Sequence, residues 1–282
     1  MSVRISIVIP TVDRADALYN LLRHLEHQSV TPSEIVVVDQ SAREDARSAS
    51  LPGVRYRRIA ERGLPNARNV GVRLSTGDAV LFLDDDVIPD RDLVRFHAAA
   101  YDAPGVAGVG GRVVGGYDAA GPGVGEFRRG DGKVVRNFGA GTPCDVEHLP
   151  GGNMSFRREV FDRIGGFDTA FGGAAIGEET DFCLRARRAG FRLVFEPRAS
   201  LDHLHWPVGG CRTPRFEEWL YWHAHNSMLF ALRHARAAGW PFFVIKRIAR
   251  IVLFALEHGS PALVPVGLRG LARGVTAHRA GR

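Results

Sequence analysis

Cysteine is scarce: Cys144, Cys183 and Cys211 are the only three in 282 residues, with no CxxC spacing and one left over from any pairing. That argues against a disulfide framework and fits a reducing compartment. Apolar runs are short. None reaches the roughly 20 residues that a membrane-spanning helix needs, and Met1-Ser2-Val3-Arg4 followed by Ile5–Pro10 is too short and too strand-like for a signal peptide. The expectation is a cytoplasmic protein. No G-x-G-x-x-G follows the first apolar run, which excludes a Rossmann dehydrogenase. Lysine is almost missing, with Lys133 and Lys246 alone against a background of arginine. Acidic residues thin out towards the C-terminus. Residues 203–282 carry 11 Lys and Arg against 3 Asp and Glu, a net +8, whereas residues 1–202 carry 26 against 28, a net −2. A basic C-terminal part calls for an anionic neighbour, membrane or nucleic acid. No nucleic-acid-binding module accompanies it, so no nucleic acid partner is expected.

What is present is ordinary in bulk: 45% hydrophobic and 24% charged residues, a globular composition long enough for one large domain or a domain with an appendage. The first hundred residues alternate two periodicities. Ile5–Pro10, Glu34–Asp39, Val54–Ile59 and Ala79–Leu83 read as strands, and Arg14–His27 and Asn66–Ser75 as helices, the first with Leu18, Leu21, Leu22 and Leu25 on one face. This alternation predicts a mostly parallel sheet with helices on both faces, which binds ligands at the carboxyl ends of its strands. Residues 105–152 are Gly-rich and predict irregular strands and loops over the site. A helix over Glu178–Ala189, a strand over Arg192–Phe195 and helices over Phe216–Ala237, Phe242–Glu257 and Leu263–Thr276 complete the pattern.

Asp84-Asp85-Asp86 close the apolar run Ala79–Leu83. Carboxylates this close raise one another's pKa and repel, and a hard divalent cation such as Mg2+ or Mn2+ relieves the conflict. The predicted chemistry is a metal-assisted site for a phosphorylated substrate at a strand end. The structural alternative is a solvated strand exit.

Eight segments in order then carry a likeness: Ile7–Arg14, Val36–Ser41, Gly63–Gly71, Thr76-Gly77-Asp78, Phe82–Asp86, Gly151–Arg157, Gly165–Asp168 and Gly177–Arg185. Together they resemble the family 2 glycosyltransferases of the GT-A fold, over roughly residues 3–230. The resemblance implies a GT-A mixed sheet flanked by helices in residues 1–210, divided into a nucleotide-binding half (about 1–104) and an acceptor half (about 105–210). A helical extension follows over 211–282. It implies a nucleotide-diphosphate sugar donor (UDP-, dTDP- or GDP-linked), a divalent cation and a saccharide or lipid-linked acceptor, in polysaccharide, glycolipid or cell-envelope assembly. Pro10, Thr11, Asp13, Asp39, Ser41 and Arg68 would hold the nucleotide. Asp84 and Asp86 would hold the metal, with Asp85 between them near ribose or metal. By the same resemblance His203 would be a further metal ligand, the alternative being an ordinary loop histidine, and Gly152, Asn153 and Met154 would lie beside the acceptor. The base would be Glu179, with Asp181 and Glu178 as rivals. Glu179 falls in the first turn of a predicted helix, where the dipole favours the ionised form. The chain departs from the family pattern at Val12, where an aromatic is common, at Asp13, where Asn is common, at Gln40-Ser41, and at Glu178-Glu179, where Glu-Asp is common.

Alternatives from other classes are a non-catalytic nucleotide-sugar or lipid-binding module and a sugar-phosphate nucleotidyltransferase. The second lacks its Gly-rich basic loop after the first strand. Trp206, Trp219 and Trp222 are candidates for stacking on a sugar or for core packing. The segment Trp240–Leu256 is strongly apolar but interrupted by Lys246, Arg247 and Arg250. It reads either as an interfacial helix on the inner face of the cytoplasmic membrane or as a helix packed on the domain or a partner subunit. Specificity is expected in loops such as residues 115–150.

Overall fold

A computed structural model describes residues 3–115, 122–130, 132–211 and 215–281. Residues 116–121 and 131, part of the expected specificity loop, lie outside the described residues.

Strand β1 (Ile5–Thr11) is buried throughout. It is apolar on both faces because both faces are covered. Ile5, Ile7 and Ile9 pack with Leu18, Leu21, Leu22 and Leu25 of helix α1 (Ala15–Leu25). Val8 points the other way, into a cluster holding Ala67 of α3 (Leu64–Leu74) and Phe82 of β4 (Ala79–Leu83). β1 pairs in parallel with β2 (Glu34–Asp39) and with β4, and β2 in parallel with β3 (Val54–Arg58). The short α2 (Ala46–Ala49) lies between β2 and β3 in the chain. The ends of β1, β2 and β4 therefore fall on one edge, which places Thr11, Asp39 and Asp84 together.

The second half makes the sheet mixed. After β4 come β5 (Val87–Pro89), α4 (Leu93–Ala100), β6 (Val106–Val114), a ribbon of β7 (Glu126–Arg128) and β8 (Lys133–Val135), and β9 (Cys144–Asp145). Then follow β10 (Asn153–Arg157), α5 (Arg158–Ile164), α6 (Glu178–Arg188) and β11 (Arg192–His203). The order across the sheet is β3-β2-β1-β4-β10-β6-β11-β5, with β9 added to β11. β10 runs antiparallel to both β4 and β6, and β5 antiparallel to β11. The sheet is thus less uniformly parallel than the N-terminal alternation predicts.

Two further expectations are corrected. The Gly-rich start of the 105–152 stretch, expected as irregular strands and loops, is one regular strand: Val106–Val114 is nearly wholly buried at the centre of the sheet. A Cβ at Gly111 would lie 2.0 Å from the Ala199 carbonyl oxygen, so glycine here permits close strand packing. The strand expected over Arg192–Phe195 runs on to His203, with a register irregularity between Glu196 and Ser200 where Pro197 sits.

The C-terminal helices α7 (Phe216–His234), α8 (Trp240–Glu257) and α9 (Leu263–Ala280) share their own core of Leu220, Ala224, Met228, Ile251, Ala255 and Leu271. Among the described residues no helix is long and apolar enough to cross a membrane.

Candidate active site

The register of β11 on β5 sets His203 opposite Val87, immediately after the aspartates. His203 Nε2 is 3.3 Å from Asp86 Oδ1 and 3.8 Å from Asp84 Oδ2, and one ligand atom from each residue lies within 4.8 Å of the others. Two carboxylate oxygens and an imidazole nitrogen form a donor set that suits a divalent cation of the Mn2+ type, so the residues present fit the implied metal. The charges are tuned by their neighbours. Burial pushes Asp84 up from the ordinary carboxylate value, although 36% of its side chain faces solvent. For Asp86, burial is outweighed by the His203 hydrogen bond and by the His203 and Arg14 charges, and its pKa falls. For His203, burial is outweighed by Asp86 and Asp84, and its pKa rises.

Asp85 differs from its neighbours. One oxygen accepts from Thr11 Oγ1 at 2.6 Å and the other from Arg14 Nη1 at 2.8 Å. Arg14 Nη1 is also 3.0 Å from Asp86 Oδ2. Burial drives the Asp85 carboxyl up to about 6 in spite of both partners. With both oxygens engaged by the protein, Asp85 ties the β1–α1 corner to the metal-facing turn, where a contact to ribose or metal was expected.

Two cavities flank that corner. One, of about 530 Å3, is lined by Pro10, Thr11, Arg14, Asp84, His203 and Trp219. The other, of about 540 Å3, is lined by Asp13, Asp39, Ser41, Tyr56 and Trp206. Asp39 accepts from the Ser41 backbone N–H at 2.8 Å and from the Tyr56 hydroxyl at 2.6 Å. Ser41 Oγ accepts from the Asp13 N–H at 2.7 Å, with Asp13 in the left-handed region at φ 55. The segment after β11 straps this corner down. Arg14 Nε donates to the Val208 carbonyl at 2.8 Å, and the Gly210 N–H donates to the Val12 carbonyl at 2.8 Å.

Arg68, on α3, is fully buried. It pairs closely with Glu178, donates to the Gly151 carbonyl at 2.9 Å, and lies 3.9 Å from Asp84 Oδ1. It therefore links the metal-facing carboxylate to the start of α6. The acidic residues of that first turn separate clearly. Glu178 is buried against Arg68. Asp181 is buried between Arg185 at 2.9 Å, His234 at 2.8 Å and Arg233 at 3.3 Å. Burial would raise Asp181, but His234, Arg185 and Arg233 outweigh it and bring it down to about 2. Both rivals for the base are thus held in buried ion pairs. Glu179 keeps 17% of its side chain open, 4.0 Å from Arg136 Nη2. The Gly151-Gly152 turn joins it to the metal cluster: a Cβ at Gly151 would lie 3.5 Å from Glu179 Cγ, and one at Gly152 would lie 2.4 Å from Asp84 Oδ2.

Asn153 and Met154 do not face an acceptor. Both are wholly buried in β10. The Asn153 amide donates to the Arg112 and Ala199 carbonyls at 2.9 Å, and its oxygen meets His97 Nε2 at 2.8 Å. An internal strand pair needs that amide to close its own hydrogen bonds, so the expected contact is lost. Trp222 packs against Gly172 and Gly173, whereas Trp219 lines the metal-side cavity. Arg14, Tyr56 and Arg136 were not anticipated. Arg14 stood inside the first quoted segment, but Tyr56 and Arg136 carry no local signal.

The model for "Glycosyl transferase family 2" matches residues 6–165. Among curated proteins, a glucosyl-dolichyl phosphate glucuronosyltransferase of Haloferax volcanii is 29% identical over 216 residues, covering 71% of this chain and 69% of its own. Among solved structures, a mannosyltransferase from Pyrobaculum calidifontis in complex with GDP-Man and Mn2+ aligns with a TM-score of 0.58 at 19% identity, over 98% of this chain and 76% of that one. GalNAc-T7 with UDP, GalNAc and Mn2+ aligns at 0.57 and 15% identity, over 92% of this chain and 59% of that one. The mixed sheet with flanking helices is the GT-A arrangement these structures share. The chain belongs to glycosyl transferase family 2 and is a glycosyltransferase.

Proposed function

We propose that the protein is a metal-dependent inverting glycosyltransferase moving a sugar from a nucleotide-diphosphate donor to an acceptor hydroxyl, in polysaccharide, glycolipid or cell-envelope assembly. One observation carries this reading: Asp84, Asp86 and His203 cluster beside Gly152, and the partly exposed Glu179 lies beside the adjoining Gly151. Asp84, Asp86 and His203 would hold a divalent cation, which when bound neutralises charge on the leaving diphosphate as a Lewis acid. Asp13, Asp39, Ser41 and Tyr56 offer polar groups for the nucleoside. The acceptor oxygen attacks the anomeric carbon, the bond from that carbon to the diphosphate oxygen breaks, and Glu179 takes the hydroxyl proton. A single displacement of this kind inverts the anomeric centre.

Residues 1–210 form the catalytic unit in this reading, and residues 211–282 form an extension that lies on the inner face of the cytoplasmic membrane. The apolar outer face of α8, with Phe242, Ile245, Leu253 and Leu256 exposed, supports that contact. Glu179→Gln tests the mechanism. Binding of nucleotide-diphosphate sugar with Mn2+, read by thermal shift, is retained, while transfer falls by roughly 100-fold or more. Transfer that survives this change assigns the base elsewhere.

A further inference from the structure

Arg14, at the start of α1, touches both elements that carry the metal-facing side chains. Its side chain is only 9% exposed. Nη1 lies 2.8 Å from Asp85 Oδ1 and 3.0 Å from Asp86 Oδ2. Nε donates to the Val208 carbonyl at 2.8 Å and Nη2 to the Trp206 carbonyl at 3.3 Å. One planar group thus joins two carboxylates of the acidic turn to two backbone carbonyls just beyond His203. A rigid fork of donors can do this, and a lysine ammonium cannot. Asp86 Oδ2 also accepts from the Trp206 N–H at 2.9 Å. That oxygen is therefore occupied within the protein, while Oδ1 lies 3.3 Å from His203 Nε2. Two glycines let the strap lie this close. A Cβ at Gly209 would meet the Asp13 carbonyl oxygen, and one at Gly210 would lie 2.5 Å from Arg14 Cζ. Both are left-handed, at φ 69 and 70. Arg14 also lines both cavities that flank this corner.

We propose that Arg14 is a positioning residue for the metal site: it fixes the Asp86 carboxylate and holds the segment after His203 against it, so that Asp84, Asp86 and His203 keep the spacing a divalent cation needs. A positive charge beside a cation site opposes metal binding by charge alone. Arg14 serves the site through geometry instead, as groups that orient a ligand raise metal affinity by about 10- to 100-fold. This rests on Asp84, Asp86 and His203 as the cation ligands.

The test titrates Mn2+ alone into the full chain, reads free Mn2+ by electron paramagnetic resonance, and follows the urea midpoint of each variant. Arg14→Gln removes the opposing charge, so a purely electrostatic role gives tighter Mn2+ binding. Positioning gives the opposite, a loss of about tenfold. Arg14→Lys keeps the charge but loses the fork, and weakens Mn2+ by roughly the same factor. Gly210→Ala leaves Arg14 in place but drives the strap off it, and does likewise. Combined with Arg14→Lys it adds little, because both changes free the same segment. Leu22→Ala, in the buried face of the same helix, lowers the urea midpoint and leaves Mn2+ affinity unchanged. The proposal is overturned if Arg14→Gln binds Mn2+ as well as wild type or better, if Arg14→Lys binds as wild type does, if the Arg14→Lys and Gly210→Ala losses add in full, or if Leu22→Ala weakens Mn2+ as much as they do. A wild-type chain that takes up no Mn2+ overturns the ligand set and this proposal with it. Wild-type uptake with unaffected Arg14 variants overturns this proposal alone.

Discussion

Asp84, Asp85 and Asp86 have the same side chain, and their surroundings assign each a different state. Asp85 gives both oxygens to Thr11 and Arg14. Asp86 is fixed by the Trp206 N–H at 2.9 Å and faces His203 with its other oxygen. Asp84 is the partly open member and lies close against Gly152. That yields a prediction at one atom. In Gly152→Ala the new Cβ falls 2.4 Å from Asp84 Oδ2, so the carboxylate must swing away. Gly152 is not in the left-handed region, so the backbone accepts alanine and stability changes by less than about 1 kcal/mol. Mn2+-dependent nucleotide binding weakens by roughly 10- to 100-fold, as expected when a ligand's support is removed. A titration of Mn2+ in the presence of nucleotide checks it, and unchanged affinity would remove Asp84 from the ligand set. At this scale the acidic triplet was legible because charge density at a strand end has few structural explanations, whereas His203 was offered only by its position in the family pattern, with an ordinary loop histidine as the alternative. Asn153 misled because an amide in a family motif gives no sign of whether it points into a cleft or, as here, into a strand pair.

The helix α6 decides which carboxylate stays partly exposed. Its first turn offers Glu178, Glu179 and Asp181. Helical spacing turns Glu178 inward to Arg68 and Asp181 towards α7, and leaves Glu179 at the edge. The Asp181 clamp joins α6 to α7 and carries a pH signature. Its folded pKa of about 2 lies below the ordinary 3.8, so the fold favours the ionised form. The resulting stabilisation, about 2 kcal/mol, is complete above pH 4 and is lost as pH falls towards 2. His234 loses stability in the same direction but from higher pH: burial outweighs Asp181 and holds its pKa below 6.5. Asp181→Asn lowers stability at pH 7 by roughly 3 kcal/mol and flattens the fall below pH 4. Urea unfolding at a series of pH values measures both effects, and an unflattened acid limb would show that Asp181 is not the titrating member. Legibility at this scale followed side-chain size. The Val- and Leu-rich β1, β2 and β4 declare themselves, while β6 (Val-Ala-Gly-Val-Gly-Gly-Arg-Val-Val) hides its strand character in the glycines that close packing requires. The end of β11 was hidden by Pro197, although that extension is what delivers His203 to the aspartates.

Across the whole molecule, charge and apolar surface are distributed together. The C-terminal 80 residues carry the net +8, and α8 adds an outer face on which Phe242, Ile245, Leu253 and Leu256 are more than half exposed. The sequence could show that α8 was apolar and basic. Only packing could show which side stays open: Ile251 and Ala255 go inward to α7 and α9, leaving the opposite side exposed among the described residues. An apolar stripe beside Lys246, Arg247 and Arg250 has the composition of a helix lying in a lipid interface, where acyl contact and headgroup charge act together. If an anionic bilayer covers that face, Ile245→Ser with Leu253→Ser and Leu256→Ser lowers partitioning to phosphatidylglycerol vesicles by at least about tenfold, the loss of little more than 1.4 kcal/mol of apolar contact. Raising salt from 0.1 to 0.5 M weakens wild-type binding, because the headgroup attraction is screened. Vesicle flotation reads both changes, and sedimentation velocity without lipid reads the competing cover. A wild-type dimer that the serine variant dissociates, with no change in flotation, would make this face a contact between two copies of the chain. A monomer whose flotation is lost would place the outer face of α8 at the bilayer surface.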